Sequence, residues 1–187
     1  MENTKDRLAE ALKEHLKTEP LSRVTVRSLT QEAGVTRQAF YYHFADVIDL
    51  AAWVFERDVA GHIMAHATYA EWADGLERLL TYMSTHQEQV EAVISSLPPR
   101  RVETFFFEAF RDMMLAIVIE LDTQNVARQH PQEVGFVIQH YSVCVAGHVL
   151  HWLAAGMGAD PRELVSQIKH LMRGQVQASL ERIQTGK

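Results

Sequence analysis

The sequence predicts an all-α protein, with an N-terminal three-helix helix-turn-helix domain joined to a larger C-terminal helical bundle. Three observations carry that prediction. Thr25 and Thr36 each precede a short segment of helical spacing, with Gly34 between them. Beyond residue 45 no sustained period-2 alternation occurs, and the five prolines fall at apparent helix boundaries. The segment from Pro131 to Ala155 is apolar or small on two faces, the pattern of a helix buried nearly all round.

The first helix carries Leu8, Ala11, Leu12 and Leu16. In the next segment Thr25 and Thr36 are residues of the type that caps a helix, a hydroxyl accepting a backbone N–H that has no partner inside the helix. Gly34 stands where the first short helix stops and the chain reverses, a place that takes the left-handed conformation. Val26, Leu29, Ala33, Val35, Phe40 and Phe44 then fall on inward faces, leaving Arg27, Arg37, Gln38, Tyr41, Tyr42 and His43 outside or at the margin. That outward set is rich in groups that hydrogen-bond phosphates and base edges, so the motif points to DNA.

Past the motif the spacing predicts helices over 46–67, 70–86 and a shorter stretch to residue 96, then a break at Pro98-Pro99. A long helix follows over 101–126. Pro131 opens another, which ends at Gly156-Met157-Gly158, and Asp160-Pro161-Arg162-Glu163 starts the last with a cap, a proline in the first turn and an acid at the third position. The domains are read as 1–45 for the helix-turn-helix and 46–187 for ligand binding and dimerisation.

The two-faced helix has Val134, Val137, Ile138, Tyr141, Val145, Val149 and Trp152 on one side, with Phe136, Val143, Gly147, Leu150 and Ala154 toward the other. One face fills the subunit's own core and the other needs a partner. The last helix adds Leu164, Ile168, Leu171, Met172, Val176 and Leu180 at coiled-coil-like spacing. The bundle is therefore expected to form a homodimer through its last two long helices.

Composition excludes several classes. With 47% hydrophobic and 22% charged residues the chain is an ordinary globular one. Residues 1–7 lack an apolar signal core, and the longest apolar run, 113–119, is far short of the ~20 residues a membrane span needs. No membrane association and a cytoplasmic location are expected. The single cysteine, Cys144, lies in an apolar helical run and reads as a small buried side chain. His62 with His66, and His148 with His151, have the spacing of paired metal ligands, but neither pair has a clear third ligand. There is no Gly-rich phosphate loop, no nucleophile elbow and no glutamate between His62 and His66 placed as a metalloprotease requires, so no catalytic residue, metal ligand or cofactor is predicted.

Leu8, Ala11, Leu12, Leu16, Val24-Thr25-Val26, Ala33-Gly34-Val35-Thr36 and Phe40-Tyr41-Tyr42-His43-Phe44 resemble the DNA-binding domain of the TetR/AcrR family of regulators. The resemblance implies that residues 37–44 form a recognition helix in the major groove. Arg37 and Gln38 would then read base edges, arginine by gripping guanine and glutamine by gripping adenine, with Tyr41 as a further base contact. Arg27, Thr36, Tyr42 and His43 match positions that touch phosphates and set register. One departure stands out: where the family commonly has a lysine after the terminal Phe, this chain has Ala45-Asp46-Val47. Charge agrees with that departure, because the net charge is −6 and residues 1–45 hold seven lysines and arginines against six acids. A shallow salt dependence of DNA binding is expected.

The resemblance also implies a palindromic double-stranded operator read by a two-fold dimer, with recognition helices about 34–36 Å apart or a multiple of that. It implies an apolar pocket for a small ligand in the C-terminal domain, for which Trp53, Tyr82, Phe106, Phe110, Met114, Tyr141 and His148 are candidates, each equally at home in a plain core. The expected function is a one-component regulator, a repressor released by a small apolar or amphipathic ligand. Two alternatives stay open. One is an activator or adaptor working through a protein partner, because Tyr42-His43-Phe44 with Asp49-Leu50, and His151-Trp152-Leu153, resemble a branch containing such regulators; the other is a metal-responsive regulator.

Overall fold

The structure is a computed structural model and describes residues 3–186. Helices α1 (Thr4–Leu16), α2 (Val26–Glu32), α3 (Arg37–His43), α4 (Val47–Ala65), α5 (Trp72–Thr85) and α6 (Gln87–Ser95) are followed by α7 (Pro99–Leu121), α8 (Val126–Gln129), α9 (Pro131–Ala154), α10 (Pro161–Met172) and α11 (Gln175–Thr185). Among the described residues there is no strand, as the absence of period-2 alternation predicts.

The chain forms two compact units. The first holds residues up to Asp58 together with 86–98; the second holds 59–85 and 99 onward. The unit that contains the helix-turn-helix is therefore larger than the segment ending at residue 45. It includes the first half of α4 and all of α6, because Val93 packs into the same core as Leu8, Leu12, Leu29, Phe40 and Leu50. Gln89 Nε2 donates to the Leu16 carbonyl at 3.3 Å, tying α6 to the end of α1.

In the second unit α7 and α9 pack along each other, α5 lies against α10, and α11 lies against α9. On the inner face of α7 Phe106, Phe110, Met113, Met114 and Ile117 are fully buried, while Leu115 and Ile119 point outward. Two polar groups on α9 find partners instead of facing hydrocarbon: Trp152 Nε1 donates to the Ala159 carbonyl at 2.9 Å, and the Tyr141 hydroxyl lies 3.2 Å from Ser179 Oγ.

Two elements depart from the sequence reading. The helix expected over 101–126 stops at Leu121, where both Asp122 carboxylate oxygens turn forward and accept the N–H groups of Val126 and Ala127 at 2.8 and 2.9 Å, starting α8. The last helix is two helices, broken at Gly174 with φ +71°.

Candidate nucleic-acid interface

The caps read from the sequence form as hydrogen bonds. Thr25 Oγ1 accepts the Ser28 N–H at 3.1 Å while Ser28 Oγ accepts the Thr25 N–H at 3.3 Å, a reciprocal box that fixes the start of α2. Thr36 Oγ1 accepts the Ala39 N–H at 3.0 Å and starts α3. Between them Gly34 holds φ +59°. Phe40 and Phe44 anchor α3 from beneath, with ring centroids 5.9 Å apart, and Phe44 continues onto Trp53 at 5.7 Å.

This anchoring leaves one side of the motif facing outward. Arg37, Gln38, Thr36 and Arg27 are exposed, Tyr41 is 58% and Tyr42 84% exposed, and His43 is half-buried with its ring edge-on to Tyr42 at 4.9 Å. Neither Arg27 nor Arg37 has an ion-pair partner among the described residues, so both guanidinium forks are available to a polyanion. Six side chains of α2, α3 and the α3 cap are thus open to solvent, with His43 at their margin.

Arg7, His15, Lys5 and Arg57, which the sequence did not single out, brace the motif from behind. Arg7 Nη2, from α1, donates to the Gly34 carbonyl at 3.1 Å across the turn. His15 lies between two carboxylates, Nδ1 2.6 Å from Glu19 and Nε2 3.0 Å from Glu32, linking the ends of α1 and α2. Lys5 Nζ sits 5.5 Å over the Phe44 ring and 5.2 Å over Trp53, whose ring also carries the Arg57 guanidinium at 4.7 Å. At the start of α4 the backbone is capped from within, Asp46 accepting the Asp49 N–H at 2.8 Å and Asp49 accepting the Ala45 N–H at 3.1 Å. Two carboxylates thus occupy the place where the resemblance leads one to expect a cation.

The other expected site residues scatter. Trp53 belongs to the first unit, beneath Lys5 and Arg57. Phe106 and Phe110 are sealed in the core of the second unit at 0% exposure, Tyr141 is buried, Tyr82 is 59% exposed, and His148 is exposed. Among the candidates for a ligand pocket, Met114 lines a cavity of about 410 Å³ bordered by Tyr69, Trp72, Ile117, Met172 and Arg173 among others. Aromatic residues at helical spacing mark a core first and a cavity second, as the full burial of Phe106 and Phe110 illustrates.

On the expected dimer face, Val143 (52%), Gly147 and Ala154 are exposed, Leu150 is half-buried, and Phe136 (68%) extends the same side of α9. Leu171 on α10 is 69% exposed. Ile168 and Val176, read from the sequence as interface, are instead turned into the subunit's own core, and Met172 lies at the cavity. Neither histidine pair gathers ligands: His62 Nε2 lies 2.9 Å from the Gly75 carbonyl and His66 Nδ1 3.0 Å from the His62 carbonyl, and no group of three metal-ligating side chains exists among the described residues.

The family model described as "Bacterial regulatory proteins, tetR family" matches residues 8–50, and that described as "Transcriptional regulator C-terminal region" matches residues 70–174, more than half of the chain. The chain belongs to the TetR family of transcriptional regulators. As a TetR-family protein it is a regulator and not an enzyme. A curated relative, the "HTH-type dhaKLM operon transcriptional activator DhaS" of Lactococcus lactis subsp. lactis (strain IL1403), is 22% identical over 169 residues, covering 90% of this chain and 88% of its own. The solved structure of "Dihydroxyacetone kinase operon activator DhaS" superposes with a TM-score of 0.62 at 21% identity, over 94% of this chain and 97% of that one, and so shares the fold. NalD, the secondary repressor of the MexAB-OprM multidrug efflux pump in Pseudomonas aeruginosa, gives a TM-score of 0.39 at 14% identity, over 90% and 93% of the two chains, too loose a match to argue from. Among the described residues of this TetR-family chain no helix is long and apolar enough to cross a membrane.

Proposed function

We propose that the protein binds a palindromic operator as a homodimer through α3, and regulates transcription from it in response to a small ligand held by the second unit. The observation that carries this reading is the open face of α2 and α3, where Arg27, Thr36, Arg37, Gln38, Tyr41 and Tyr42 are all exposed on a rigidly capped scaffold. Arg37 and Gln38, in the first turn of α3, read base edges, with Tyr41 beside them. Arg27, Thr36, Tyr42 and His43 contact phosphates and set the register. The exposed apolar and small face of α9, from Phe136 through Val143 and Gly147 to Ala154, is continued by Leu171 of α10 and takes the same face of a second copy. Its place of action is the cytoplasm, where the operator lies.

The sign we assign is activation. Support comes from the Lactococcus lactis relative, an operon activator aligned over 90% of this chain; repression released by ligand is the second reading, from the family at large. A gel shift with the DNA upstream of the chain's own gene tests the binding, and a reporter fused to that DNA tests the sign. Arg37→Ala and Gln38→Ala are each expected to weaken operator binding by about 1–3 kcal/mol while relaxing preference at one base pair. Folded dimers of both variants that bind like the parent would remove these residues from the reading helix.

A further inference from the structure

The cavity of the second unit has a two-part lining. Trp72, Met114, Ile117 and Val176 form its buried apolar wall, none more than 7% exposed. Tyr69, Lys169 and Arg173 supply its polar side. At about 410 Å³ it falls in the size range of small-molecule sites, and the thioethers of Met114 and Met172 adapt to irregular apolar shapes.

The polar side carries two cations, Lys169 and Arg173, and no acidic side chain among the described residues lies in the lining. Arg173 makes no ion pair or hydrogen bond among the described residues. Lys169 meets Asp74 at 3.6 Å, with both side chains well exposed, so that pair contributes roughly 0–1 kcal/mol and is readily exchanged for another anion. The Glu120 carboxylate lies outside the lining, where it accepts the Tyr69 N–H at 2.8 Å.

We propose that this cavity binds an amphipathic anion, a carboxylate or phosphate monoester on an aliphatic body, with the head between Lys169 and Arg173 and the chain against Trp72, Met114 and Ile117. The arginine fork matches either head group with two parallel hydrogen bonds. The site also has a route to the dimer seam. The Tyr69 hydroxyl accepts the Gly174 N–H at 3.2 Å, and Gly174 is the break between α10 and α11. A ligand lodged between Tyr69 and Arg173 therefore bears on the hinge that sets α10, whose outer side presents Leu171. This rests on the reading of the chain as a ligand-responsive dimeric regulator and gives that ligand its chemical class.

Titration calorimetry on the purified full chain tests it, with octanoate, octyl phosphate, 1-octanol and octylamine as probes. At least one anion is expected to bind, and the alcohol and amine at least about tenfold more weakly. Arg173→Gln, at an exposed position, should remove at least about tenfold of the anion affinity and leave the alcohol unchanged. Met172→Trp should close the cavity to every probe, with thermal unfolding reporting that each variant is folded. Octanol bound as tightly as both anions, no binding of either anion, or anion binding untouched by both substitutions overturns the proposal. Operator gel shifts keep the two readings apart: DNA binding without anion binding sinks the site alone, whereas anion binding lost in Met172→Trp with no DNA binding sinks the operator reading and leaves the site standing.

Discussion

Gly34 shows how one position joins backbone geometry to the recognition face. Its φ of +59° lies where a side chain is strained, and a Cβ there would come 2.7 Å from Arg7 Nη2, the nitrogen that donates to the Gly34 carbonyl. Gly34→Ala is therefore expected to cost about 1–2 kcal/mol from the left-handed conformation alone, with a further loss as Arg7 is displaced. Urea unfolding measures this, and a variant as stable as the parent would show that the turn relaxes freely. Gly61 is the matched control: it is exposed inside α4, has no positive φ, and a Cβ there would meet nothing within 4 Å. Gly61→Ala should raise stability by about 0.5–1 kcal/mol, because it removes chain entropy from the unfolded state without a clash. The glycine is legible in the sequence because a cap on either side of it demands a reversal. Arg7 is not, because its bond goes to a carbonyl 27 residues away and no side-chain pattern records it.

The helices α9 and α10 divide their apolar residues between the subunit and its proposed partner, and periodicity alone does not say which goes where. Ile168 and Leu171 are one turn apart, yet Ile168 is 2% exposed and Leu171 69%. Both read as seam residues because coiled-coil spacing describes a seam without naming the surface opposite it. The break at Gly174 is hidden for a related reason: a lone glycine is tolerated inside a helical pattern, and Val176 and Leu180 continue the period beyond it. Paired substitutions separate the two roles. Val143→Asp, on a side chain 52% exposed in the single chain, should leave the fold intact and turn the dimer into a monomer by analytical ultracentrifugation, with operator binding lost. Ile168→Ala should instead lower unfolding stability by about 2–5 kcal/mol through a cavity in the subunit's own core. Were Val143→Asp to stay dimeric, the partner face would lie elsewhere.

Charge across the chain limits how tightly this protein can hold DNA. A net −6, with residues 1–45 close to neutral, is unlike the strongly basic footprint of most nucleic-acid-binding domains. Binding must then come from a few well-placed contacts, and few phosphate contacts mean few released counterions. The start of α4 sharpens the point, since Asp46 and Asp49 cap it with carboxylates and Ala45 offers no cation. The sequence discloses the missing lysine, but only the structure shows that acids take up the N–H groups that would otherwise be open to a phosphate. Ala45→Lys, at an exposed position just past α3, should restore one such contact. The logarithm of operator affinity against the logarithm of salt concentration should then steepen by about 0.9, and nonspecific DNA should gain as much as the operator, because a phosphate contact carries no sequence information. Fluorescence anisotropy over a salt series on both duplexes measures this. A slope that Ala45→Lys leaves unchanged would put residue 45 off the duplex, and the phosphate grip would then have to come from Arg27, Thr36, Tyr42 and His43 alone.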